Sequence, residues 1–300
     1  MKDVLVIGSS NTDMVVRVKN IPCPGQTVMG EGFQVFAGGK GANQAMAARR
    51  AGGNVRFIAA VGQDEFGKVA LEGFEREGIN VDSIEVVEGA PSGVAMIFVS
   101  DEGENCIAVA PGANNGLLPE HLEKNVPAFQ QASHLLLQLE IPMETVECAV
   151  KLAQGNDVRV ILNPAPAAPL SNRVLQGLYC ITPNEHEAGE LTGMKVTDLE
   201  SARQAAEALL NLGVQNVIVT LGCDGALLVN AQGSHHQVAE TVDVVDTTAA
   251  GDTFNGILAA LLAEGRSMQD CICLAVAGAT LSVQKAGAMD SVPYREDFIS

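Results

Sequence analysis

The chain has 300 residues, beyond the ~250 to 300 at which a single hydrophobic core stops growing, so both one large domain with an appendage and two domains fit its length. Hydrophobic residues make up 47% and aromatics 4%, with no Trp, which leaves Ala, Val, Leu and Ile to build a core of the kind that suits a parallel sheet covered by helices. Eighteen Lys plus Arg against 36 Asp plus Glu give a formal charge of −18, which argues against a nucleic-acid backbone or an anionic membrane as partner and leaves small ligands open.

The seven cysteines are odd in number and scattered, with no C-x-x-C pair, and read as reduced thiols of a cytoplasmic protein. The apolar run at residues 4–7 is too short for an export signal, and that at residues 272–283 is too short to cross a bilayer.

In chain order, residues 4–7 read as a strand, residues 12–18 with 26–35 as a hairpin, and 42–51 as a helix. A strand at 55–61 and a helix at 66–77 follow, then a second hairpin over 92–99 and 105–110. Beyond it come a strand at 133–139, a helix at 143–153, strands at 158–162 and 179–182, a helix at 199–212, a strand at 217–221 and a helix at 253–263. In the last helix Phe254, Ile257, Leu258 and Leu261 form one apolar stripe at i, i+3, i+4, i+7. This alternation predicts an α/β fold with a doubly wound, mainly parallel sheet flanked by helices. The two hairpins break the rhythm and predict a small separate sheet, placed as a lid over the crevice at the strand ends or as an edge extension without function.

Several segments carry candidate chemistry. Asp246-Thr247-Thr248-Ala249-Ala250-Gly251-Asp252-Thr253 runs a loop of small residues into a helix, which gathers free N–H groups and the positive helix end at one point suited to a phosphate. Asp252 there fits a base for an attacking hydroxyl, and fits equally a simple helix cap. Gly38-Gly39-Lys40-Gly41-Ala42-Asn43-Gln44-Ala45 again leads glycines into a helix, and neither a Walker A loop nor a G-x-G-x-x-G turn is present. Asn11 and Asp13 point the same way on an extended segment, where they could grip vicinal sugar hydroxyls or form an Asx turn. Glu140 follows an apolar strand. Asn184 and Glu187 could order Mg²⁺ and its water near phosphates, or Glu187 could be a solvent-facing helix residue. Thr220, Gly222 and Gly225 lie in a glycine turn suited to a hairpin or to a nucleotide lying against the backbone. The five histidines lack metal-ligand spacing, and no G-x-S-x-G elbow occurs.

Together, and in this order, these segments resemble the ribokinase (PfkB) family of carbohydrate kinases over essentially the whole chain. The early signature is similar to residues 38–45 and the late one to residues 246–254, where Ala249-Ala250-Gly251-Asp252 stands in place of the Gly-Ala-Gly-Asp of many members. The resemblance implies a single kinase domain over 1–300 with lid insertions at about 12–36 and 91–110. It implies phosphorylation of D-ribose at the 5-hydroxyl by ATP, or of 2-deoxyribose or a nucleoside in another member, and a sugar-binding regulator on the same fold is the non-enzymatic alternative. On matching positions Asp252 is the base, and Ala249, Ala250 and Gly251 form an anion hole. Asn11, Asp13, Gly39, Lys40, Asn43, Glu140 and Asp252 are sugar contacts, and Asn184, Glu187, Thr220, Gly222, Gly225 and Gly251 form the nucleotide side with Mg²⁺. Asp246, Thr248, Ser282, Lys285, Gly287 and Ser291 supply a K⁺ loop. A homodimer that covers the lid sheet is implied as well.

Overall fold

The computed structural model describes residues 3–102 and 104–299. From the N-terminus the chain forms β1 (Asp3–Ile7), β2 (Asn11–Val18), β3 (Gly30–Gly38), α1 (Lys40–Arg50), β4 (Val55–Ile58), β5 (Ala60–Gly62), α2 (Glu65–Arg76) and β6 (Glu85–Val87). Strands β7 (Gly93–Ser100) and β8 (Asn105–Ala110) follow, then α3 (Pro119–Lys124), α4 (Val126–Gln131), β9 (Ala132–Leu137), α5 (Met143–Gly155), β10 (Arg159–Leu162), α6 (Asn172–Leu175) and β11 (Leu178–Ile181). The C-terminal third holds α7 (Glu185–Thr192), α8 (Leu199–Asn211), β12 (Asn216–Thr220), β13 (Ala226–Asn230), β14 (Gly233–Gln237), α9 (Ala250–Ala263), α10 (Met268–Ser282) and α11 (Arg295–Phe298).

Eight strands make the main sheet in the order β14-β13-β12-β11-β10-β9-β1-β4, parallel from β4 to β12 and antiparallel at the β13 and β14 edge. Because successive strand residues face opposite sides, Leu5, Ile7, Leu135 and Leu137 enter one core while Val4, Val6 and Leu136 enter the other. The first core is covered by α5 and α8 through Val146, Ala149, Ala202 and Ala205. The second is covered by α1, α9 and α10 through Ala45, Ala48, Phe254, Ile257, Leu258 and Ile272. A sheet buried on both faces needs the β-branched and Leu-rich strands that the composition provides.

Helix α9 packs against α1 so closely that a Cβ on Gly256 would lie 2.5 Å from the Ala47 methyl and from the Gln44 carbonyl oxygen. That crossing brings the first turn of α9, with Asp252, beside Gln44.

A second sheet runs β3-β2-β7-β8. The two expected hairpins are present and are joined through a parallel β2–β7 pairing that sets Asn11 against Gly93. This smaller lid sheet leaves Phe33, Val35, Met96, Ile107 and Val109 exposed, Phe33 at 61%.

Two elements differ from their sequence expectation, and several others, α10 among them, are not delimited in the sequence. The run 55–61 divides into β4, in the main sheet, and β5, which turns away to pair with β6. Helix α9 begins at Ala250, three residues early, because Ala249 adopts a left-handed backbone that ends the loop. Residues 268–282 form α10, whose apolar residues pack on α9 and α11; no described helix is long and apolar enough to span a membrane.

Candidate active site

The site lies at the C-terminal ends of the parallel strands, where open α/β sheets gather ligands. Asp252 is the third residue of α9 and 6% exposed. Its side chain caps nothing: Oδ2 accepts from Asn43 Nδ2 at 2.9 Å and Oδ1 from Gln44 Nε2 at 2.9 Å. The cap residue, Ala249, has φ 60° and supplies no side-chain acceptor, so the N–H groups of Gly251 and Asp252 at the first turn stay uncapped by any side chain. A Cβ on Gly251 would meet nothing within 4 Å, which places open space beside those N–H groups. Uncapped donors, the positive helix end and a carboxylate therefore converge, a geometry fitted to an anion and to a hydroxyl that must lose its proton.

Burial pushes the Asp252 carboxyl up from the ordinary carboxylate range, while the Lys40 ammonium and the Asn43 and Gln44 amides pull against that rise. The Gln44 amide is itself anchored. Asn163 Nδ2 donates to the Thr182 carbonyl, so its Oδ1 faces Gln44 Nε2 at 3.0 Å, and Gln138 Nε2 donates to Gln44 Oε1 at 2.6 Å. Thr182 Oγ1 donates to Asn255 Oδ1, whose Nδ2 returns to the Gly251 carbonyl. The ends of β9, β10 and β11 thus hold both the carboxylate and the start of the helix.

On the other side of the crevice, Glu140 Oε2 accepts from Ser9 Oγ (2.6 Å) and from the Lys40 N–H (3.1 Å). Glu140 lies just past β9 rather than within a strand. Burial lowers the affinity of Lys40 for its proton, yet the carboxylates of Asp252, Glu140, Glu187 and Asp13 hold its pKa above the ordinary lysine value. The Asp13 side chain is buried and makes no hydrogen bond among the described residues; burial and the charges of Glu140 and Asp252 push it up to about 6. A Cβ on Gly38 would fall 2.2 Å from its carboxylate, so the glycine makes room for it. Gly39 (φ 89°) caps α1, and a Cβ there would press on the Asn11 N–H at 2.7 Å. Asn11 Oδ1 accepts from Asn114 Nδ2. Asn43 Oδ1 is buried without a partner among the described residues. The expected sugar set, Asn11, Asp13, Gly39, Lys40, Asn43, Glu140 and Asp252, is brought together by these contacts and by the mutual influence of its charges.

Asn184 and Glu187 form a capping box at the start of α7: Asn184 Oδ1 accepts from the Glu187 N–H at 2.8 Å, and Glu187 Oε2 from the Asn184 N–H at 2.9 Å. Glu187 is buried, not solvent-facing, and its charge is felt at Lys40. Thr220 bridges to Asn184, and Gly222 and Gly225 both take positive φ in the hairpin turn from β12 to β13. Asp246 ties two loops together, its carboxylate accepting from the Thr248 N–H (2.9 Å) and the Gly287 N–H (3.0 Å), while Val283 O accepts from the Val245 and Asp246 N–H groups. Ser282 ends α10, Lys285 and Gly287 lie on the loop after it, and Ser291 closes the short 3₁₀ turn Met289–Ser291; the Lys285 N–H donates to Ser282 O.

Sequence reasoning missed the roles of Ser9, Gln44, Asn114, Gln138, Asn163, Thr182 and Asn255. For Gln44 a signal existed, since it adjoins Asn43 within the glycine-led motif.

Residues 1–295 match the pfkB family carbohydrate kinases. The chain is 41% identical over 296 residues to the ribokinase of Haemophilus influenzae, covering 99% of this chain and 97% of the relative. It is 36% identical to the deoxyribokinase of Salmonella typhi, at 99% and 97% coverage. The solved Arabidopsis thaliana ribokinase complexed with ribose and ATP superposes with a TM-score of 0.93 at 34% identity, over 99% of this chain and 97% of that one. The chain belongs to the pfkB family of carbohydrate kinases, with a ribokinase-like α/β fold.

Proposed function

We propose that the chain phosphorylates D-ribose at its 5-hydroxyl with ATP, giving ribose 5-phosphate. The observation that carries this is the placement of Asp252, buried, held at both oxygens by the amides of Asn43 and Gln44, and set in the first turn of a helix whose N–H groups no side chain caps. With the sugar bound by Asn11, Asp13, Gly39, Lys40, Asn43 and Glu140, the 5-hydroxyl faces Asp252, which accepts its proton as the oxygen attacks the γ-phosphorus, the bond from that phosphorus to the β,γ-bridging oxygen breaks and ADP leaves. Charge that develops on the transferring group is met by the N–H groups of the Ala249 to Gly251 loop and by Lys40. The nucleotide lies along Asn184, Thr220, Gly222 and Gly225, where two glycines at positive φ let it approach the backbone.

Among the described residues no group of three or more His, Cys, Asp or Glu is arranged to hold a metal. That fits Mg²⁺ carried mainly by the nucleotide phosphates and reached through water by Glu187, one of whose carboxylate oxygens the capping box leaves free. Mg²⁺ neutralises phosphate charge when bound. The oxygen-only donors of the stitched loops, Asp246, Thr248, Ser282, Lys285, Gly287 and Ser291, several through their carbonyls, suit K⁺, which would stiffen the loop that leads into Ala249. The four-stranded sheet acts as a lid on one kinase domain, closing over the sugar to exclude water. Its exposed apolar face is covered in a homodimer of this cytoplasmic enzyme.

In Asp252→Ala, ribose-dependent ADP release falls at least about 10³-fold with ribose affinity retained within a few fold; release near the parent rate would refute the assignment.

A further inference from the structure

Asn11 and Asn114 meet at the junction of the lid sheet and the body. Asn11 opens β2, where the chain enters the lid, and Asn114 lies in the short 3₁₀ turn Gly112–Gly116 that follows β8, where the chain leaves it. Asn114 is 1% exposed. Its Oδ1 accepts from the Ser10 backbone N–H at 2.9 Å, and its Nδ2 donates to the Ser10 carbonyl at 3.2 Å and to Asn11 Oδ1 at 2.8 Å.

These contacts leave no freedom in how the two amides are turned. A backbone N–H only donates and a carbonyl only accepts, so Ser10 fixes which end of the Asn114 amide is oxygen and which is nitrogen. A donor then faces Asn11, which must answer with its oxygen. The Asn11 NH₂ group is left to point elsewhere, and among the described residues it donates to nothing. Gly93 permits the arrangement: a Cβ there would stand 2.2 Å from Asn11 Oδ1 and 2.3 Å from Asn114 Nδ2.

Two residues along β2, Asp13 presents an acceptor without a partner. The pair thus offers one donor and one acceptor on the same side of the strand, matched to neighbouring hydroxyls of which one accepts and one donates. Were the Asn11 amide reversed, it would set a second oxygen beside the Asp13 carboxylate, and both groups would compete for hydroxyl protons.

We propose that Asn114 is a positioning residue for sugar recognition, which locks the Asn11 amide with its NH₂ toward the sugar and so sets the donor half of the site. The proposal rests on the reading of Asn11 as a sugar contact.

The test is steady-state kinetics with D-ribose on Asn11→Ala, Asn114→Asp and the double variant, with Asn114→Ala as a second probe of position 114. In Asn114→Asp the near-isosteric carboxylate still accepts from the Ser10 N–H but donates nothing, so the Asn11 amide turns its NH₂ inward and its oxygen to the sugar. The ribose KM is expected to rise at least about tenfold, with kcat and the ATP KM held within about threefold. Asn114→Ala, which frees the amide without reversing it, gives a smaller rise in ribose KM alone. In the Asn11→Ala background Asn114→Asp changes the ribose KM by less than about twofold, because the residue acts through Asn11. An unchanged ribose KM in a folded position-114 variant would overturn the proposal. So would the same factor persisting in the Asn11→Ala background, or an equal loss in kcat and in the ATP KM, either of which marks a merely structural role. Failure of the underlying reading is distinct: the unaltered chain then turns over no ribose, or Asn11→Ala leaves the ribose KM where it was.

Discussion

At the proposed sugar end of the crevice, four charged side chains, Asp13, Lys40, Glu140 and Asp252, sit among buried amides, of which those of Asn11 and Gln44 are fixed in orientation by partners of their own. At the proposed nucleotide end, Thr220, Gly222 and Gly225 contribute mainly a backbone path, and positions 222 to 224 are exposed. The first end holds charge away from water, at a cost offset by hydrogen bonds and by opposite charge; the second spends little on desolvation. Selectivity for a small polyhydroxy sugar needs fixed side-chain donors and acceptors, whereas a nucleotide's phosphates and flat base are served by main-chain N–H groups and space.

The sharpest way to break this contrast is to loosen the sugar end without touching the sugar set. Gln44→Leu removes one of the two amides that hold Asp252, a hydrogen bond to a charged group worth about 1.5–3 kcal/mol. We expect kcat to fall about 10- to 100-fold and its acidic limb to move to higher pH, since the lost amide is one that lowers the Asp252 pKa. An unshifted pH profile would show that Gln44 only fills space.

Next in size is the pH dependence of sugar binding. With Asp13 pushed up to about 6, its acceptor form is lost as pH falls through that value, so ribose affinity, measured by calorimetry without nucleotide, weakens about tenfold per unit below pH 6. Asp13→Asn binds ribose weakly at every pH and flattens that limb.

At the nucleotide end, Gly225→Ala places a Cβ 2.0 Å from the Gln237 carbonyl oxygen at φ 90°. The ATP KM is expected to rise about 3- to 10-fold with the ribose KM unmoved, at a stability cost of about 1–3 kcal/mol. A matching rise in the ribose KM would mean that the two ends are not built independently.

The last effect concerns stability. The folded chain holds the Asp13 proton more tightly than the unfolded chain, whose Asp titrates at 3.8, so this group's contribution to stability falls as pH rises from about 4 to about 6 and stays lost above. Asp13→Asn is therefore expected to be more stable than the parent at pH 8 by about 3 kcal/mol, read from thermal melts, and to lose that advantage near pH 4.

Much of this was legible in the sequence, for identifiable reasons. Strand and helix alternation, the two hairpins and the small-residue loop into α9 are local patterns; periodicity gives Asn11 and Asp13 a common side of their strand, whereas their reading as sugar contacts comes with the family resemblance. Whether the Asp252 side chain caps its helix was not legible, since the answer lies in where its oxygens go, to Asn43 and Gln44 more than 200 positions away. The amides of Gln138, Asn163 and Asn255 are silent for the same reason: only packing of β9, β10, β11 and α9 makes them a set. Helix α10 lacked a clear polar face to mark it, because it packs between α9 and α11. The division of 55–61 into β4 and β5 depends on a partner, β6, that no local signal announces.

The central claim, phosphoryl transfer to ribose at Asp252, is tested most directly by ADP release from the unaltered chain with D-ribose, 2-deoxyribose, fructose and nucleosides, each with and without K⁺. We predict that ribose gives the highest kcat/KM and that K⁺ raises it; no turnover on ribose alongside good turnover of a nucleoside or of 2-deoxyribose would contradict it.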